Sequence, residues 1–245
     1  MNGSTADRRV IVALDFDDRG AAEALVARLG GACGFYKVGL ELLTAAGPDL
    51  VRGLVDQGHE VFLDLKLFEI PNSVAGAVRA AGALGASVVT VHSMGGTGIM
   101  TAAVEAAREF PGLRVLALTV VTSMTGSDLA DIGIRAGTDE QVLRLARLAA
   151  EAGCDGVVGS PREAGALREL LGPDRLIVTP GVTLTLPGAA GAGAGTGGET
   201  GGHARADTPW AAFAAGASHV VVGRSVTRAA DPVAALRRVG AGGSL

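Results

Sequence analysis

Short apolar, β-branched runs recur along the chain, and each is followed by an Ala- and Leu-rich stretch whose apolar residues repeat at helical period. A fully apolar strand followed by an amphipathic helix is the unit from which parallel sheets are built. The strand candidates are Val10 to Leu14, Phe35 to Val38, Val61 to Leu65, Val88 to His92, Val115 to Thr119, Gly156 to Val158, Leu176 to Pro180 and His219 to Gly223. The helical stretches fall at about Arg19 to Leu29, Asp49 to Gln57, Val74 to Leu84, Gly98 to Glu109, Glu140 to Ala152, Arg162 to Leu171, Trp210 to Ala215 and Pro232 to Arg238. Eight units in strict alternation predict an α/β fold, a single (β/α)8 TIM barrel domain over residues 1–245. An open, doubly wound sheet would close with fewer strands and carry a Gly-rich turn after the first, whereas here the first strand runs into Asp15-Phe16-Asp17.

Composition sharpens this picture. Apolar residues make up 48% of the chain but aromatics only 3%, so the core must be packed from Ala, Val and Leu. A net charge of -4 without a basic run excludes a nucleic-acid partner or an anionic membrane surface, and any anionic ligand must be gripped locally. No apolar run is long enough to span a bilayer, and the polar start from Met1 to Arg9 lacks a signal-peptide core. Cys33 and Cys154 stand alone, as expected of reduced thiols in a cytoplasmic protein. From Gly188 to Gly202 the chain is almost all Gly, Ala and Thr, which predicts a flexible Gly-rich loop at about 182–207. Its position after the seventh strand suits a lid over a ligand.

Barrel enzymes work at the carboxyl ends of their strands, so the polar residues there are the candidates. They are Asp15, Lys37, Asp64, Lys66, His92, the Thr122 to Thr125 segment, Pro180 and Arg224. Asp64 and Lys66 are two apart on one strand and so share a face, directed into the barrel mouth. At about 4 Å such a pair attracts by roughly 4 kcal/mol at an effective dielectric of 20, which holds both charged. A structural salt bridge is the bland explanation; Lys37 one strand away and Glu69 just beyond weaken it, because alternating buried charges are expensive unless function retains them. Spacing alone fits Arg224 equally to a surface charge, but its place beside Gly223 after the last strand, where barrels commonly bind phosphate, favours a phosphate. His92 reads as a satisfied core histidine, and His59 and His219 lack the acidic neighbours of a metal site.

The segment Asp64-Leu65-Lys66-Leu67-Phe68-Glu69-Ile70-Pro71-Asn72-Ser73 resembles the Asp-x-Lys-x-x-Asp-Ile-Pro-Asn-Thr pattern of orotidine 5′-phosphate decarboxylases. Further likenesses run the length of the chain: Ala13-Leu14-Asp15, Tyr36-Lys37-Val38-Gly39, Val91-His92, Thr179-Pro180-Gly181-Val182 and Val222-Gly223-Arg224-Ser225. The resemblance implies decarboxylation of a nucleotide monophosphate, orotidine 5′-phosphate, to UMP, without metal or cofactor. It assigns Lys66 as the acid that protonates C6, Asp64 to the departing carboxylate, and Lys37 with Asp15 to the ribose hydroxyls. Gly223, Arg224 and the lid would hold the phosphate with Pro180 nearby, and Ser123 and Thr125 are candidates for the pyrimidine, although isolated Ser and Thr also serve as local caps. It further implies a homodimer in which Glu69 and Ser73 reach the partner's site. Three positions depart from the pattern: Glu69 replaces Asp, Ser73 replaces Thr, and His203 replaces a Gln that bridges phosphate and pyrimidine. They leave open a divergent paralogue that binds a related nucleotide with reduced or altered activity. Related sugar-phosphate barrels hold magnesium on a carboxylate ending the second strand, where this chain has Lys37.

Overall fold

A computed structural model describes residues 7–184 and 207–240. The chain alternates strand and helix: β1 (Val10–Ala13), α1 (Arg19–Leu29), β2 (Phe35–Gly39), α2 (Leu40–Ala46), α3 (Pro48–Asp56), β3 (Glu60–Leu67), α4 (Pro71–Ala83), β4 (Val88–His92), α5 (Gly96–Ala107) and β5 (Arg114–Leu118). It continues through α6 (Gly126–Asp131), α7 (Thr138–Glu151), β6 (Gly156–Val158), α8 (Ala164–Leu171), β7 (Leu176–Val182), α9 (Pro209–Ala214), β8 (His219–Val222), α10 (Arg224–Thr227) and α11 (Pro232–Gly240). The strands close in sequence order into an eight-stranded barrel, β8 pairing with β1, and every pairing is parallel. All the predicted strands form, within about two residues of their expected ends. Helices α2, α6 and α10 were not expected from the sequence; each is too short for its apolar residues to establish a period.

Alternation along each strand sorts the apolar residues into two layers. Val10, Val12, Tyr36, Val38, Val61 and Leu63 face outward beneath the helices. Ile11, Ala13, Phe35, Phe62, Val88, Leu116, Val158, Val178 and Val221 fill the barrel interior. Small residues let strands and helices approach closely. Gly156 is the tightest case: it sits in register with Leu116 and Leu176, and a Cβ there would collide with the Leu176 carbonyl oxygen and lie 2.6 Å from its Cβ. The obstacle is sheet backbone, which cannot step aside. Gly156→Ala is therefore expected to cost about 3 kcal/mol, lowering Tm by roughly 6–12 °C. Gly53→Ala in α3, where a Cβ meets nothing within 4 Å, should leave Tm unchanged or slightly raised in the same thermal-unfolding experiment.

Residues 185–206 of the segment expected to form a lid, His203 among them, lie outside the described residues. Among the described residues no helix is long and apolar enough to cross a membrane.

Candidate active site

The interior alternation that packs Ala13, Phe35 and Phe62 carries on to Asp15, Lys37 and Asp64, two residues further along β1, β2 and β3. Three neighbouring strands thus deliver three charges to the carboxyl end of the barrel. Lys66 arrives there by a different route from the simple alternation expected. Leu63 pairs with Val89 and Leu67 with Val91, so Asp64, Leu65 and Lys66 bulge opposite the single residue Thr90. Within the bulge Lys66 has φ 49°, the one non-glycine residue with positive φ among those described. Such a conformation costs on the order of 1–3 kcal/mol and persists only where surrounding contacts impose it.

The four charges form an alternating chain. Lys37 Nζ donates to Asp15 Oδ1 at 2.9 Å and lies 3.8 Å from Asp64 Oδ2, which accepts from Lys66 Nζ at 2.7 Å. Asp64 and Lys37 are deep, with 14% and 11% of their side chains exposed, whereas Lys66 keeps 36%. That difference matters: the ammonium of Lys66 is both held and reachable. Thr90 donates to the other carboxylate oxygen, Asp64 Oδ1, at 3.0 Å.

These groups line one end of a cavity of about 630 Å³, a volume suited to a nucleotide-sized ligand. Leu118, Val121, Val158 and Val221 give it an apolar wall, and Pro180, Gly181, Val182, Gly223 and Arg224 line it from the loops after β7 and β8. Around the barrel, charges from β1 to β3 give way to an apolar wall and then to Arg224 after β8. Arg228, Asp17 and Glu41 also face the cavity and were missed from the sequence. Arg228 had a readable signal, four residues after Arg224 and so on the same side of a helical turn.

Several expected residues are elsewhere. Thr122 lines the cavity in place of Ser123 and Thr125. Ser123 is exposed, and Thr125 caps α6: its hydroxyl and backbone N–H both bond the Asp128 carboxylate, which lowers the Asp128 pKa. The alternative reading of these residues as local caps therefore fits Thr125. Glu69 and Ser73 are exposed beyond β3, away from this chain's own cavity, between the exposed apolar side chains Phe68 and Ile70 and the start of α4. His92 accepts a bond from the Met94 N–H at 3.3 Å, and burial, then the charge of Lys66, keeps its imidazole below the usual range. Burial likewise depresses His59 and His219, and pushes the Cys33 thiol up and Cys154 to about 12, leaving both thiols inert. Among the described residues no group of His, Cys, Asp and Glu is arranged to hold a metal ion.

The family described as Orotidine 5′-phosphate decarboxylase / HUMPS matches residues 8–239. An orotidine 5′-phosphate decarboxylase of Moorella thermoacetica is 46% identical over 243 residues, covering 96% of this chain and 92% of the relative. One from Rhodopseudomonas palustris is 49% identical over 228 residues, covering 93% and 91%. The crystal structure of orotidine 5′-phosphate decarboxylase from Lactobacillus acidophilus superposes with a TM-score of 0.82 at 34% identity, covering 98% of this chain and 100% of that one.

Proposed function

Since the chain belongs to the orotidine 5′-phosphate decarboxylase / HUMPS family, we propose that it converts orotidine 5′-phosphate to UMP and carbon dioxide, a step of pyrimidine nucleotide synthesis. The observation that carries this reading is the Lys66 ammonium, 2.7 Å from Asp64 and backed by Lys37, in a cavity that Arg224 also lines. Decarboxylation leaves an electron pair on C6 in the plane of the ring, where no π system can spread it. A fixed neighbouring cation is what stabilises such charge in a dry site.

Arg224 and the backbone at Gly223 take the phosphate, and the apolar wall takes one face of the pyrimidine. Asp15 and Lys37 hold the ribose hydroxyls. The substrate carboxylate then lies near Asp64, and the like charges favour its departure. The C6–carboxylate bond breaks with its electrons left on carbon, and Lys66 Nζ gives C6 a proton. The resulting neutral amine regains a proton from water.

Glu69 and Ser73 complete the partner's site in a homodimer on this reading. Phe68 (61% exposed) and Ile70 (62% exposed) flank Glu69, and Leu40 (57% exposed) follows the neighbouring strand β2; together they supply apolar surface for a second copy to cover. Lys37 on β2 disfavours the magnesium-dependent sugar-phosphate chemistry, which needs a carboxylate from that strand.

The test is loss of orotidine 5′-phosphate absorbance with purified protein. Turnover with chelator present is the expected result; no turnover, or turnover only with added magnesium, would overturn the proposal. Glu69→Asp should match or exceed the parent, since the shorter carboxylate restores the family's pattern. A much slower Asp variant would show Glu69 adapted to another task, as in the divergent-paralogue reading.

A further inference from the structure

We infer that Thr90 is a positioning residue: its hydroxyl ties the Asp64 carboxylate to the Lys66 backbone and thereby sets where the Lys66 ammonium stands. The inference deepens the decarboxylase reading and rests on it. Thr90 lies on β4 opposite the β3 bulge, between the pairs Leu63–Val89 and Leu67–Val91. In place of a regular ladder bond, the Lys66 N–H donates to Thr90 Oγ1 at 2.9 Å. The same hydroxyl donates to Asp64 Oδ1 at 3.0 Å. One oxygen therefore acts as acceptor and donor at once, and its two partners are the backbone of Lys66 and the carboxylate of Asp64.

Its surroundings make this clamp stiff. Thr90 is fully buried, so water does not compete for either bond. A β-branched side chain is restricted at χ1, and the hydroxyl is held toward the bulge. With Oδ1 of Asp64 tied to Thr90, only Oδ2 is left to face Lys66 and Lys37, at 2.7 and 3.8 Å. The positive φ of Lys66 is imposed at the atom that Thr90 grips, its backbone nitrogen. If that bond were lost, the backbone could relax to the ordinary extended region and swing the side chain away from the mouth. Thr90 itself does not line the cavity, so it acts through Asp64 and Lys66 and not on the substrate.

The deciding comparison is Thr90→Val against Thr90→Ser. Valine keeps the shape and removes the hydroxyl, so kcat should fall by about ten- to a hundredfold. KM should stay within about threefold because the cavity wall is unchanged. Serine, which keeps the oxygen, should restore kcat to within about threefold of the parent. A valine variant with parental kcat, or a serine variant as slow as valine, would overturn the proposal. Thr90→Ala gives the same comparison should valine fail to fold. If the parent itself does not turn over orotidine 5′-phosphate, the decarboxylase reading fails while the clamp is still judged by a crystal structure of the valine variant. Lys66 leaving positive φ, or its ammonium parting from Asp64, supports the clamp; an unchanged bulge rejects it.

Discussion

Lys66→Ala is expected to reduce decarboxylation of orotidine 5′-phosphate by at least about 10⁴-fold, because the proposed mechanism loses with it both a fixed cation and a general acid at the reacting carbon. Lys37, on the neighbouring strand β2, cannot take over. Lys37 Nζ is bound to Asp15 at 2.9 Å and only 11% of its side chain is exposed, so it cannot swing into the vacated space without breaking that pair. Nucleotide binding, measured by titration with the product UMP, should weaken far less, because Arg224 and the apolar wall are untouched. A variant that keeps a tenth of parental turnover would contradict the assignment of Lys66.

Asp64→Asn is expected to lower kcat/KM on the order of 10³-fold without any change of size. The carboxylate is the hub of the site, accepting from Lys66 and Thr90 and lying 3.8 Å from Lys37. An amide in its place can accept on one atom only, so Thr90 or Lys66 must face an N–H donor. Two lysines also lose their shared counter-charge in a region where 14% or less of Asp64 and Lys37 is exposed. Repulsion then drives the Lys66 ammonium outward from its working position. Steady-state kinetics on the Asn variant, with a crystal structure to locate Lys66 Nζ, checks both halves; parental activity would show the carboxylate to be merely structural.

Much of this site was legible before any coordinates. Asp15, Lys37 and Asp64 follow interior residues at a spacing of two on consecutive strands, and period alone puts them in the mouth. Lys66 reached the same place for a reason the sequence does not carry, a register slip between β3 and β4 that depends on how two distant segments pair. The contribution of Thr90 was invisible for the same reason: a buried threonine on a strand has the ordinary appearance of β-propensity. Ser123 and Thr125 were misplaced because loop residues have no period to orient them, and Thr125 followed by Asp128 three residues later is a helix-cap pattern. The short helices α2, α6 and α10 fall below the length at which a pattern emerges. Arg228 was overlooked although its spacing from Arg224 was readable.

The central claim is that the Lys66 ammonium exchanges a proton with C6 of the nucleotide. Protonation of C6 is reversible in principle, so the enzyme should catalyse loss of the C6 proton of UMP into deuterium oxide, followed by NMR. The account predicts that the C6 proton signal decays with the parent protein and persists with Lys66→Ala. Equal decay with both proteins, or none with a parent that decarboxylates, would contradict it.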